Sequence, residues 1–264
     1  MRFSFCIETI YSEKPIVERL FLLAAWGVRY FEIWDWRDKD LGQLVNAIHQ
    51  NDQRLVNMSG NRKYGMVDPF EQNIFLEEVK EAISFAKKLG CSQLMLLVQS
   101  LEADGRARPV PHNLSKIQVL EQIVACGLAA GQIAEQEDFN ICIEPLNSVL
   151  DHPGYFLDTS ELAFSVIKEI NHPRVKLLYD VYHMAMMNEN VVQDIENHFE
   201  WIGYYHFADK PGRHEPGTGS IHFKEILTLL KNLGYEGIVG FEFFPQQNNS
   251  ARALQRTLEL IREF

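Results

Sequence analysis

The sequence predicts an α/β fold, a (β/α)8 TIM barrel formed by residues 1–264 as a single domain. Three observations predict it. Eight short runs of apolar, β-branched or aromatic residues recur along the 264 residues, each followed by a stretch of helical periodicity. Most of these runs are continuously apolar rather than alternating, as parallel strands covered on both faces must be. No Pro- or Ser-rich linker breaks the alternation. An open dinucleotide-binding sheet would carry a glycine-rich turn after its first strand, and Glu8-Thr9-Ile10-Tyr11 stands there instead.

The strands are expected at Arg2–Ile7, Tyr30–Trp34, Arg54–Met58, Gln93–Val98, Asn140–Glu144, Val175–Asp180, Ile202–His206 and Ile238–Phe243. Between them, Pro15–Trp26 places Ile16, Leu20, Leu23 and Ala24 on one helical face, and Phe70–Leu89 does so with Phe75, Val79, Ile83 and Ala86. Gly90 and Gly234 close helices Phe70–Leu89 and Phe223–Leu233. Asn113–Gln136 reads as a long helix, Asp158-Thr159-Ser160-Glu161 opens the next with capping residues, and Ala251–Phe264 ends the chain.

The net charge of -11 repels phosphate backbones at long range, which argues against nucleic acid as a partner. Cys6, Cys91, Cys126 and Cys142 are scattered in apolar surroundings without a CxxC pair, as free thiols of a reducing compartment are. Arg2 is followed by Glu8 and no long apolar run, so the N-terminus does not read as a signal peptide. No stretch is expected to supply the roughly 20 apolar residues of a membrane helix. A cytoplasmic protein with no membrane partner is the expectation, and pairing of barrels through exposed helices leaves a homo-oligomer open.

Active sites of such barrels form at the C-terminal strand ends. Four consecutive strands end on Glu144, Asp180, His206 and Glu242. Three carboxylates buried together need compensating positive charge, which a divalent metal supplies. Oxygen ligands with one imidazole suit Mg or Mn, and Co or Zn would also be accepted. Taken singly, each residue could equally cap a loop or serve the core; the coincidence at four strand ends favours a site. Trp34, Tyr182, Phe243 and Phe244 are candidates for its rim or for ordinary packing. Arg213, in a run shaped by Gly212, Gly217 and Gly219, could bind a substrate carboxylate or pair with Glu215. His183 could donate to a substrate hydroxyl or orient a ligand. Glu32 and Asn57, ending strands two and three, are expected to face the same cavity as substrate-binding residues, with Glu32 alternatively anchoring Arg213 or Lys210.

The segments Ile143-Glu144-Pro145-Leu146-Asn147, Asp151-His152-Pro153-Gly154-Tyr155-Phe156-Leu157, Tyr179-Asp180-Val181-Tyr182-His183-Met184 and Ala208 to Gly219 resemble hydroxypyruvate isomerases, of the xylose isomerase-like barrel superfamily. The resemblance spans the whole chain and is tightest from Glu144 to Glu242. It implies that Glu144 and Glu242 are the catalytic proton acceptor and donor. It also implies that they ligate metal with Asp180 and the strand-seven residue, and that His183 and Arg213 touch substrate oxygens. The implied substrate is a small molecule, hydroxypyruvate or a short 2-oxo acid such as 2-oxo-tetronate, isomerised to its aldehyde isomer. A proton moving between adjacent carbons passes through an enediolate, whose charge a metal stabilises.

Three features depart from that pattern. Strand seven carries His206 where hydroxypyruvate isomerases usually carry glutamine, and this resembles ketose 3-epimerases of the tagatose/psicose type. Leu150 stands where those epimerases carry a further glutamate. The loops Ser59–Asp68 and Gln99–Pro111 match the isomerases poorly. Ketose 3-epimerisation is therefore the alternative reading. A metal-dependent endonuclease, which needs more strand-end histidines, and a non-catalytic sugar-binding barrel are the remote ones.

Overall fold

Strands pair with their chain neighbours in order, β1 (Arg2–Cys6), β2 (Tyr30–Ile33), β3 (Arg54–Ser59), β4 (Gln93–Leu97), β5 (Asn140–Glu144), β6 (Val175–Asp180), β7 (Ile202–Phe207) and β8 (Ile238–Phe241). All pairings are parallel, and β8 returns to β1 to close the barrel. The computed structural model describes every residue from Met1 to Phe264. The predicted (β/α)8 barrel is the observed fold.

The outer layer is α1 (Ile16–Ala25), α2 (Leu41–Asn51), α3 (Gln72–Lys88), α4 (Lys116–Gln136), α5 (Ser160–Ile170), α6 (Val181–Met186), α7 (Val191–His198), α8 (Phe223–Asn232) and α9 (Ser250–Ile261). Boundaries follow the caps. Ser115 accepts from Gln118 N while Gln118 reaches back to Ser115, so α4 starts three residues later than its apolar periodicity suggests. Thr159 caps α5 in the same role.

One expectation is corrected here. By length and composition α4 could cross a membrane, at a mean hydropathy of 1.4 over its most apolar window. Its apolarity on several sides has a packing cause. The helix lies between α3 and α5 and over β5, burying Val119, Ile123, Cys126, Ala130 and Ala134.

Inside the barrel, the two-residue strand period stacks side chains in layers. Met95, Cys142, Leu178 and Tyr204 form an apolar plug. Two residues further along β5, β6 and β7 the same inward direction is taken by Glu144, Asp180 and His206. On β8 the pair is Gly240 and Glu242, with Glu242 one residue past the strand. The polar layer thus sits directly on an apolar floor. All four cysteines are free and buried.

Candidate active site

Ligating atoms of Glu144, Asp180, His206 and Glu242 lie within 4.8 Å of one another, and all four residues are buried. They line or underlie a cavity of about 320 Å³ at the C-terminal mouth, with Glu144, Arg213, Glu242, Trp34, His152 and Arg62 among its walls.

His206 sits at the centre. Its Nε2 lies 2.8 Å from Glu32 Oε2, while Nδ1 is 3.2 Å from Glu144 Oε1 and 3.7 Å from Glu242 Oε2. Nδ1 is therefore the atom offered to a metal, and Glu32 holds the far side of the ring. Glu32 in turn accepts from Ser4 Oγ at 2.5 Å and from Asn57 Nδ2 at 3.1 Å. This corrects two readings. Glu32 and Asn57 do not line the cavity, and Glu32 anchors neither Arg213 nor Lys210. The reason is depth: β3 runs on to Ser59, which leaves Asn57 two residues inside the barrel, in register with Glu32.

Asp180 does double duty. It ends β6 and caps α6, accepting from His183 N at 3.0 Å through Oδ1. Its Oδ2 faces His183 Nε2 at 3.7 Å. The His183 Nδ1 is approached by Asn147 N at 3.3 Å, which can only donate, so the neutral ring carries its proton on Nε2. That Nε2 is buried without a hydrogen-bond partner.

Arg213 follows Gly212, both with positive φ, in a loop gathered by the buried Asp209. The Asp209 carboxylate accepts from Lys210 N at 2.9 Å, Gly217 N at 2.9 Å, Gly219 N at 2.8 Å and Ile221 N at 3.0 Å. The Arg213 guanidinium donates to Glu242 and lies 4.0 Å from Asp180, over the rings of Tyr182 and Phe244. Its Nε is buried and unpartnered. The considered pair with Glu215 does not form; Glu215 faces Arg256 at 3.5 Å. Of the rim candidates, Trp34 and Phe244 meet edge to face at the mouth, whereas Phe243 and Tyr182 are buried. Leu150 is exposed.

Electrostatics divides the two glutamates. Burial raises the Glu144 carboxyl, with Glu242 adding to it against the pull of His206. For Glu242 burial is again the largest influence, but Arg213, His206 and the Trp34 N–H together outweigh it and hold the carboxyl low. Burial, aided by Glu144 and Glu242, pushes Asp180 up to about 7. His206 is raised well above an ordinary imidazole, because Glu32 and Glu144 overcome its desolvation. Burial and then Arg213 keep His183 neutral. More negative charge converges here than Arg213 and His206 balance, and the donor set of three carboxylates and one imidazole fits a divalent metal.

Sequence reasoning missed Arg62, His152 and Asp209. Asp209 and His152 stand within the segments that resemble a known family, but Arg62 lies in a loop with no such signal.

The sequence profile described as xylose isomerase-like TIM barrel matches residues 20–264. A Xenopus laevis protein named "putative hydroxypyruvate isomerase" is 31% identical over 259 residues, covering 93% of this chain and 91% of its own. The hydroxypyruvate isomerase of Escherichia coli strain K12 is 28% identical over 259 residues, covering 95% and 96%. A crystal structure described as AP endonuclease, family 2, from Brucella melitensis superposes with a TM-score of 0.86 at 22% identity, over 100% of this chain and 98% of that one. At that identity the likeness speaks for the fold alone.

Proposed function

The chain belongs to the xylose isomerase-like TIM barrel family, and from that premise we propose that it isomerises hydroxypyruvate or a related short 2-oxo acid such as 2-oxo-tetronate. Its relatives make it an isomerase. The observation that carries the proton-transfer chemistry is the pair Glu144 and Glu242, buried side by side in one small cavity with their proton affinities driven apart. The names of the relatives support hydroxypyruvate as the substrate.

Glu242, held ionised, takes the proton from the hydroxyl-bearing carbon. The electron pair of the broken C–H bond forms the enediolate, and the hydroxyl proton passes from that carbon's oxygen to the neighbouring oxygen. Glu144 returns a proton to the neighbouring carbon, which leaves the aldehyde and the new hydroxyl. The Nε2–H of His183 and the Nε–H of Arg213, both buried donors without partners, meet the substrate oxygens. Trp34 and Phe244 narrow the mouth and exclude water. Glu144, Asp180, His206 and Glu242 would hold a divalent cation, Mg or Mn by the donor set, which would supply positive charge to stabilise the enediolate.

Conversion of hydroxypyruvate in deuterated water tests this. Glu144→Gln and Glu242→Gln are each expected to lose at least about 100-fold in kcat, and Glu242→Gln should also take up no deuterium at the hydroxyl-bearing carbon. Full exchange there in Glu242→Gln removes Glu242 from proton abstraction, and a wild-type kcat in Glu144→Gln removes Glu144 from proton return.

His206 supports a second reading, C3 epimerisation of a ketose, since the same acid and base would serve on two faces of one carbon. Turnover of tagatose, fructose or psicose with none of hydroxypyruvate would select it. An endonuclease reading lacks support: β1 to β4 contain no histidine, and the net charge of -11 opposes DNA.

A further inference from the structure

Most of the arginines around the mouth already have carboxylate partners. Arg213 binds Glu242. Arg108 faces Glu71 at 3.6 Å and Glu102 at 3.4 Å. Arg37 is held by Glu78 at 2.7 Å. Arg62 differs. It lines the cavity, yet its guanidinium forms no ion pair and no hydrogen bond with the protein. Its Cζ lies 6.0 Å from the ring centre of Trp34, the same indole whose N–H donates to Glu242. One indole thus links the unanswered cation to the ionised glutamate.

The backbone beneath Arg62 is rigidly built. The buried Glu78 carboxylate accepts from Arg62 N at 3.0 Å, Lys63 N at 3.1 Å and Tyr64 N at 3.1 Å. Next to it, Asn61 is fully buried, donating to Tyr64 O at 2.7 Å and Leu97 O at 3.0 Å and accepting from Leu97 N at 2.9 Å. A loop tied at that many points presents Arg62 in one place, at the edge of a wall made by Met95, Leu97, Leu101 and Leu146. Nothing apolar on that wall can answer a carboxylate.

We propose that Arg62 is the carboxylate-recognising residue of the site and sets its specificity for 2-oxo acids over neutral ketoses. The assignment rests on the 2-oxo acid reading above. The forked guanidinium takes the substrate carboxylate, while His183 and Arg213 Nε meet the oxygens of the reacting carbons. A neutral ketose has no group for that cation and leaves it unpaired at the mouth.

Hydroxypyruvate and dihydroxyacetone form a matched test pair, because they differ only in carboxylate against hydroxymethyl. Arg62→Ala is expected to lower the ratio of their kcat/KM values by about 10- to 100-fold, mainly through KM for hydroxypyruvate, with Arg62→Lys between. Equal losses on both substrates, or none, overturn the assignment and leave Arg62 a loop residue. If the wild type turns over neither compound, the isomerase substrate reading fails, and calorimetric binding of hydroxypyruvate decides about Arg62. Binding weakened by the same factor in Arg62→Ala upholds the assignment; unchanged binding, or none to the wild type, ends it.

Discussion

A histidine offered to a metal is only as well placed as the group behind it, and for His206, a candidate ligand, that group is Glu32. The Glu32 carboxylate fixes the ring so that Nδ1 faces the other acidic groups. Glu32→Gln should weaken Mn binding by about 10- to 100-fold, measured by calorimetry on chelator-treated protein. Wild-type affinity in that variant would make the contact incidental. Gly240 belongs to the same arrangement. A Cβ there would lie 2.1 Å from Glu32 Oε1 and 2.8 Å from His206 Cδ2. Gly240→Ala must push this buried pair aside and is expected to destabilise the fold by about 1–3 kcal/mol. A lower Tm together with weaker Mn binding is the expected outcome, and an unchanged pair of values would contradict it. His206 was legible from its strand end, but Glu32 and Gly240 acquire their roles only across strands β2, β7 and β8.

At the scale of elements, the loop after β3 depends on one helix residue. Glu78 lies on the buried face of α3, where its spacing from Phe75 and Ala82 puts it although its charge suggests solvent, and it holds three backbone N–H groups and Arg37. Glu78→Ala leaves those donors unanswered, at a cost of about 3 kcal/mol in stability. Denaturant unfolding should show that loss, and protease cleavage should become faster within residues 60–66. Protection equal to the wild type would show that the loop holds itself. The strand ends were readable because apolar runs stop on polar residues. The loops after β3 and β4 were not, since the first takes its partners from α3 and β4 and the second from the loop after β5.

For the whole molecule, burying so many carboxylates ties metal binding to protons. Near neutral pH the raised His206 holds a proton, and Asp180, at about 7, is roughly half protonated. Ligands must be deprotonated, so binding expels protons, and apparent affinity rises as pH rises through 7. Calorimetry of Mn binding in two buffers of different ionisation enthalpy should report release of one to two protons at pH 6.5. No release would place the metal elsewhere. Saturating Mn at about 100 times Kd should also stabilise the fold by about 2.7 kcal/mol, read as a rise in Tm.

Eight apolar runs, the capping residues at Asp158-Thr159-Ser160-Glu161, and the four polar strand ends are properties of the chain taken in order, and they determined the barrel and its ring of candidate ligands. Local periodicity suffices there because each strand buries its own residues whatever their neighbours are. What only the tertiary structure decided is which groups face one another. Glu32 lies behind His206, Arg213 is committed to Glu242, α4 packs between α3 and α5 and over β5, and Arg62 stands alone at the mouth. Those facts depend on distances between residues tens to hundreds of positions apart, which no spacing along the chain encodes.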